Sequence, residues 1–424
     1  MQVCIFEDTG YANLLPLTHT RPVYLLRLGI KDLLSKILDY VPGHISITLH
    51  CRGELKPLLK TLYKYPVNEL APVETIFING RIIAEESIIK NLRFNSGKNF
   101  LIAYNEMPLI ARLDAKLLKK FKIPGLFNIK TFRALKLPET SLNIPLVNYY
   151  WELLGRNGKD INIDSGKTGL LGKHNSSTSF VHLVNARNIF IGQDVLIKPG
   201  VVLDASGGAI FIDNKAEVLA NAVINGPAYI GYKTIVKAGA RIYGGTSLGP
   251  VCKIGGEVEN SIVHGYANKQ HEGFLGHSYL GEWVNLGAGT ETSDLKNNYQ
   301  QIKIQITAGK IVNSQLQFAG CCIGDHTRTG IKTMLGAGAV LGCFCNVLGP
   351  GFQPKYLPSF AWHDNARPPP EEYQLEKALQ TARLVLLRRG LALAKEQENL
   401  YRQIFQNSAE ERRKLKLKIN KRSS

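Results

Sequence analysis

From Ile212 to Ile254 every sixth residue is aliphatic: Ile212, Val218, Ile224, Ile230, Val236, Ile242, Leu248 and Ile254. Four places after each stands a small or β-branched residue, namely Ala216, Ala222, Ala228, Thr234, Ala240, Thr246, Cys252 and Val258. An α-helix repeats near 3.6 residues and a strand at 2, so neither produces a strict six. A triangular coil does: three short strands make one turn of a parallel β-helix, each unit sending an aliphatic side chain inward and a small one into the corner. Glycines directly after the aliphatic position (Gly231, Gly249, Gly255) suit corners where backbones approach closely. Ordinary strands of a sandwich would not need eight consecutive matches.

The register extends upstream through Ile191, Ile197 and Leu203 and breaks at Gly207-Gly208. Downstream it is lost between Gly256 and Gly273, resumes at Phe274, Leu280 and Leu286, and after a second break returns at Ile323, Thr329, Leu335, Leu341 and Val347. A solenoid places projecting loops at such interruptions, and loops on a rigid scaffold tend to carry function. Both breaks are therefore expected to project and to hold chemistry.

The chain of 424 residues leaves room for a second domain ahead of the solenoid. Gln2–Phe6, Ile45–Leu49, Thr75–Ile78 and Phe100–Ala103 have the composition of strands, and 30–38 has helical spacing. Alternating strands and helices predict an α/β layer with a mostly parallel sheet, whose ligands bind at the carboxyl ends of strands. Glu7, Asp8, Asn79 and Arg81 fall there. A short amphipathic helix is expected over 147–154, followed by a connection rich in turn formers. The tail after Pro368 is expected to be helical and amphipathic. The predicted domains are 1–165, 178–360 and 366–424.

The N-terminus has no signal-peptide pattern, no apolar run is long enough to span a membrane, and seven Cys lack metal or disulfide spacing. A cytoplasmic protein is expected. The net charge of +18 invites a nucleic-acid partner, but no DNA- or RNA-binding motif accompanies it, and none is expected. Anionic, phosphorylated small molecules suit a basic surface equally well.

Several segments carry a resemblance. Phe6-Glu7-Asp8, Pro16-Leu17-Thr18 leading to Arg21-Pro22-Val23, Asn79-Gly80-Arg81, Gly276-His277-Ser278-Tyr279-Leu280-Gly281, Asn285-Leu286-Gly287-Ala288-Gly289-Thr290 and Gly324-Asp325-His326-Thr327-Arg328-Thr329-Gly330 are similar to a divergent GlmU-like group. The likeness runs over nearly the whole chain. It implies a Rossmann-like sugar nucleotidyltransferase domain, then a left-handed β-helix of acyltransferase type and a helical tail, assembled as a homotrimer. It also implies acetyl transfer from acetyl-CoA to glucosamine 1-phosphate, and nucleotidyl transfer from UTP or another nucleoside triphosphate to a sugar 1-phosphate with Mg²⁺. Either activity alone, with the other domain degenerate, and a non-catalytic scaffold are the alternatives.

The resemblance assigns roles. His277 is the expected general base that deprotonates the attacking amine, with backbone amides of the solenoid turns available to the carbonyl oxygen. His271 is its rival, because the family's His stands three residues before the Tyr whereas His277 stands two before Tyr279. Tyr279, Asn285, Asn298 and Tyr299 are expected at the substrate. In the first domain, Glu7-Asp8-Thr9-Gly10 replaces the family's Gly-rich loop, so Arg21 and Arg27 are expected to supply positive charge, with Thr18, Asn79 and Arg81 lining the substrate. Asp8 or Glu7 is the candidate metal ligand. Arg328 and Lys332 are expected beside coenzyme A.

Overall fold

The computed structural model describes residues 1–89, 92 and 97–417. Lys418, Lys421 and Arg422 of the basic C-terminal end lie outside them.

The first unit is a six-stranded sheet of β1 (Gln2–Phe6), β2 (Ser46–His50), β3 (Thr75–Asn79), β4 (Phe100–Tyr104), β5 (Met107–Leu113) and β6 (Glu139–Ser141), in the order β2-β1-β3-β5-β4-β6. The β1 strand pairs in parallel with β2 and β3, as its unbroken apolar composition predicts for a strand buried on both faces. The other side departs from the mostly parallel expectation, since β5 runs antiparallel to both β3 and β4. Five residues of β1 are buried, and the rings of Phe6 and Phe77 pack at tilted and edge-on angles against Phe127 and Phe132 under one face.

The solenoid follows. Its first face is a nine-stranded parallel sheet running from Ile189–Ile191 to Tyr356–Leu357. Ile210 pairs with Ala228 and Ala228 with Thr246, so three six-residue units make one coil. All eight aliphatic residues of the repeat and all eight small residues four places on are fully buried. The repeat is therefore the code of the core, with both positions of each unit pointing inward.

The two breaks differ. Between Gly256 and Gly273 the coil does not project; it tightens. Ser247 pairs with Ile262 and Ile262 with Tyr279, so these coils are shorter than the standard one, and His264 lies within a strand rather than a loop. The second break does project: the chain leaves the coil after Glu291–Thr292 and forms an antiparallel hairpin, Lys303–Thr307 with Lys310–Asn313, before Cys322 pairs with Tyr279.

One corner of successive coils carries Tyr266, Trp283, His326, Phe344 and Phe360, all at positive φ. Adjacent parallel strands lie about 4.8 Å apart, which is also ring-stacking distance. The rings accordingly form a ladder, with 4.4 Å between Tyr266 and Trp283, 4.6 Å between His326 and Phe344, and 4.8 Å between Phe344 and Phe360. Bulky residues at positive φ are costly, and stacking offsets that strain.

Helices join the two units. Helix α1 (Leu33–Leu38) and helix α2 (Lys56–Leu62) belong to the first unit; α3 (Tyr150–Lys167) lies along the first face of the solenoid. The α3 helix runs well beyond the short element expected over 147–154, because its buried face carries Asn157, Asp160, Asp164 and Ser165, which hide its period. Their polarity is satisfied by tertiary partners: Asn157 Nδ2 donates to the Gly245 carbonyl at 2.7 Å, and the Lys36 ammonium of α1 pairs with Asp160 and Asp164 at 2.9 and 2.6 Å. A Cβ on Gly158 would meet Pro227 at 3.1 Å, so the glycine allows close approach to the coil.

After the solenoid come α4 (Leu375–Leu387), α5 (Lys395–Asn407) and α6 (Ala409–Lys414). Tyr401 of α5 packs its ring on Phe344 and takes part in a 2.9 Å hydrogen bond with His326 Nε2, while Phe405 packs edge-on against Phe360. Leu55, Leu58 and Leu59 of the first unit join the same apolar cluster, so α5 wedges between the units. No described helix is long and apolar enough to cross a membrane.

Ile242→Ala, in the middle of the coil, is expected to lower stability by about 2–5 kcal/mol in urea unfolding, whereas exposed Lys198→Ala stays within about 0.5 kcal/mol.

Candidate functional site

At the carboxyl ends of β1 and β3, a cavity of about 440 Å³ is lined by Asp8, Gly10, Asn13, Arg81, Asn128 and Lys130, among others. The Arg81 guanidinium binds Asp8 through Nε at 2.8 Å and Nη2 at 2.6 Å, and reaches Asn148 Oδ1 at 2.8 Å. Asn79 Nδ2 donates to Asp8 Oδ2 at 2.9 Å, and its Oδ1 accepts the Arg81 N–H at 3.0 Å. A Cβ on Gly10 would stand 2.3 Å from the Arg81 guanidinium carbon, so the single glycine of the replaced loop makes room for this arginine.

Glu7 turns the other way. It accepts the Arg52 backbone N–H at 3.1 Å and pairs with its guanidinium at 3.3 Å; burial nevertheless pushes its carboxyl up to about 7. Thr18 is buried on the same side, donating to the Tyr11 carbonyl at 2.9 Å and accepting from Arg52 at its own carbonyl. A divalent cation needs carboxylate oxygens free to coordinate it. Both Asp8 oxygens are engaged by Arg81, Glu7 faces Arg52, and no metal-binding cluster of three His, Cys, Asp or Glu occurs among the described residues. These residues do not fit a resident Mg²⁺ in this arrangement.

Arg21 and Arg27 lie where the first unit meets the solenoid. Arg21 binds Asp325 at 3.1 and 2.6 Å and approaches Glu282 at 3.2 Å, and Thr20 Oγ1 donates to the same Asp325 at 2.7 Å. Burial alone would lower the Arg21 pKa; Asp325 and Glu282 outweigh it and hold the guanidinium above its ordinary value. The Arg27 backbone N–H donates to the Tyr279 hydroxyl at 2.8 Å, and that hydroxyl donates to the Arg27 carbonyl at 3.2 Å. Tyr279 is fully buried by these contacts. Arg21 and Arg27 also line an interdomain cavity of about 490 Å³ with Glu282, Asp325 and Tyr401.

His277 occupies a corner at φ 44°, in the left-handed region. Its Nδ1 lies 2.7 Å from Asp294 Oδ2, and its ring lies 5.4 Å from that of Phe318. Asp294 follows the last strand before the projecting hairpin, so the segment that lengthens this break also brings the carboxylate to the histidine. An Nδ1–H held by a carboxylate leaves Nε2 as the basic nitrogen, the arrangement a general base requires. His271 lies in a bend, and its carbonyl accepts from Lys269 at 3.2 Å. Asn298 and Tyr299 are exposed in the projecting segment, where Asn298 Oδ1 accepts the Gln300 N–H at 3.2 Å.

Asn285 lies on a different face, bridging Asn268 and Arg328 on neighbouring coils. Around the groove expected for coenzyme A, Asp325 and His326 are turned into the interdomain contact, Arg328 is half-buried on the face that carries Asn285, and Lys332 is exposed. The sites named from sequence thus do not form one site: they include the Asp8–Asn79–Arg81 cleft, the Glu7 and Thr18 contacts with Arg52, the Arg21–Arg27–Tyr279 interface, the His277 corner with its projecting loop, and the Asn285 face. Asp294, Arg52 and the arginines ending α4 were not singled out as site residues, because each meets its partners only through the fold.

An α/β domain with a cleft at the carboxyl ends of its strands is thus joined to a solenoid that presents a histidine–carboxylate pair. Residues 3–168, which span the first unit, match the family model of sugar nucleotidyl transferases. The chain is 31% identical over 91 residues to a bifunctional sugar-1-phosphate nucleotidylyltransferase/acetyltransferase of Sulfurisphaera tokodaii, covering 22% of either chain. It is 27% identical over 151 residues to the uncharacterized acetyltransferase YaiX of Escherichia coli, covering 35% of this chain and 65% of that one. Bifunctional protein GlmU of Trichormus variabilis is 29% identical over 157 residues, covering 37% of this chain and 30% of that one. The matched stretches therefore span less than two thirds of these relatives.

Burial holds the His326 imidazole down at about 3, from 6.5, so the neutral ring is native. Its contribution to stability is full above pH 6.5 and is lost as pH falls towards 3. The acid limb of the urea midpoint should be shallower in His326→Phe than in the parent between pH 6.5 and 4.

Proposed function

We propose that the chain is a sugar-nucleotide biosynthetic enzyme with two transfer activities: acetyl transfer from acetyl-CoA to the amine of glucosamine 1-phosphate, and nucleotidyl transfer from UTP or another nucleoside triphosphate to a sugar 1-phosphate. The observation that carries the acyl-transfer half is the 2.7 Å contact of His277 Nδ1 with Asp294. In this reading His277 Nε2 takes a proton from the ammonium-derived amine as its lone pair attacks the thioester carbonyl. The tetrahedral intermediate collapses with loss of the coenzyme A thiolate, which recovers the proton. Asp294 holds the tautomer and stabilises the imidazolium that forms. In the same reading Asn298 and Tyr299, exposed on the projecting segment, contact the acceptor sugar.

For the nucleotidyl-transfer half, the support is the family match over residues 3–168 and the cleft at the strand ends. Lys130, Asn13 and Asn148 present polar groups there around the Asp8–Arg81 pair. Mg²⁺ would arrive with the triphosphate. The proposed domains are 1–165 for nucleotidyl transfer, 178–360 for acyl transfer and 366–424 as a basic helical tail, in a cytoplasmic homotrimer with no nucleic-acid role.

Two parallel assays test this. One contains glucosamine 1-phosphate and acetyl-CoA and reports free thiol; the other contains N-acetylglucosamine 1-phosphate, UTP and Mg²⁺ and reports pyrophosphate. His277→Ala is expected to lower thiol release by about 10²–10⁴-fold and Asp294→Asn by roughly tenfold or more, with pyrophosphate release unchanged. Neither product from the parent protein would refute the two-activity reading.

A further inference from the structure

Where the second face of the solenoid meets the end of α4, four cations converge. Lys253 comes from one coil, Arg328 from another three turns on, and Arg388 and Arg389 from the residues just after α4. Together with Asn268, Asn285 and Trp283 they line a small cavity of about 100 Å³. Arg389 donates to Asn268 Oδ1 at 2.9 Å, and Asn268 Nδ2 donates to Asn285 Oδ1 at 3.4 Å, so both amides are held in place. Arg328 Nη2 is buried with no hydrogen-bond partner. None of the four cations has an ion pair with a carboxylate among the described residues. Glu217, two strands away along the same sheet, is the acidic group that Lys253 feels, and more weakly than it feels Arg389, Lys237 and Arg388.

Cations at a helix C-terminus are favoured by its dipole, which accounts for Arg388 and Arg389 by themselves. It does not account for Lys253 and Arg328 facing them. Like charges brought together in a partly buried site repel, and a buried guanidinium nitrogen without an acceptor is costly. Both penalties vanish when an oxyanion enters. A liquid water occupies about 30 Å³, so the cavity takes a group of phosphate size and no nucleoside.

We propose that this cavity is a phosphate-binding site, formed by Arg328 and Lys253 of the solenoid and closed by Arg388 and Arg389 of the C-terminal segment. Guanidinium groups match phosphate oxygens in pairs of hydrogen bonds, and the two amides supply neutral donors beside them. The ligand is a phosphomonoester or phosphoanhydride. The acceptor sugar phosphate and coenzyme A both qualify, and that choice of ligands rests on the reading above, whereas anion binding itself does not.

The test is thermal unfolding and calorimetric titration of the full chain with inorganic phosphate, glucosamine 1-phosphate, coenzyme A and dephospho-coenzyme A, each against chloride at equal ionic strength. At least one phosphate compound is expected to raise the unfolding midpoint above the chloride control. Arg388→Gln is expected to weaken that ligand tenfold or more while leaving the unliganded midpoint equal or higher, because it relieves repulsion. Arg328→Gln is the second variant and is expected to weaken binding similarly. Preference for coenzyme A over its dephospho form would identify its 3′-phosphate; equal response to glucosamine 1-phosphate and inorganic phosphate would identify the acceptor. No phosphate compound exceeding chloride, unchanged affinity in both variants, or a lower unliganded midpoint in Arg388→Gln would overturn the proposal. Because the readout is binding, it can fail while thiol release succeeds, and the reverse.

Discussion

Everything in this molecule depends on the coil closing every eighteen residues. The Ile210, Ala228 and Thr246 positions stack because the six-residue repeat gives each coil the same three corners. Once coils superpose, whatever stands at one corner in successive turns is brought to stacking distance. That turns Tyr266, Trp283, His326, Phe344 and Phe360, scattered over nearly a hundred residues, into one continuous aromatic edge. The C-terminal α5 helix packs its Tyr401 and Phe405 against that edge, and the first unit closes over both. The two units are further clamped by Arg21 on Asp325, a buried pair that would leave an uncompensated charge if either partner were removed. The domain arrangement therefore follows from the repeat rather than from a linker.

The repeat also determines where chemistry has room. Standard coils bury their inward positions, leaving outward strand positions and corners to carry other roles. His277 stands at a corner of the shortened coils at Ser247–Ile262 and Ile262–Tyr279, and the long excursion between Glu291 and Cys322 brings Asp294 back to it. A rigid scaffold with one irregular segment holds a histidine and a carboxylate at a fixed separation without requiring either to lie on a flexible tip.

Much of this was legible in the sequence, and the limits are physical. The solenoid was readable because a period of six is incompatible with any other simple element, and the strands of the first unit because each is an apolar run ending at turn formers. The Gly256–Gly273 break was read as a projection because deletion and insertion disturb a register alike; only the pairing distinguishes a tightened coil from a loop. The α3 helix is legible over only half its length because Asn157, Asp160 and Asp164 face inward, satisfied by Gly245 and Lys36. His277 was nameable from its motif, but Asp294 was not, since the two meet only across a coil. Arg81 and Asp8 were named separately; that they bind each other, leaving no free carboxylate pair for a metal, is a fact of the sheet's geometry.

The account turns on the His277 corner being where an acyl acceptor binds. The most direct measurement is a structure of the full chain crystallised with coenzyme A and glucosamine 1-phosphate. The account predicts the acceptor amine within about 3 Å of His277 Nε2, on the side of the ring away from Asp294. An acceptor bound only in the Asp8–Arg81 cleft, with the His277 corner unliganded, would contradict it.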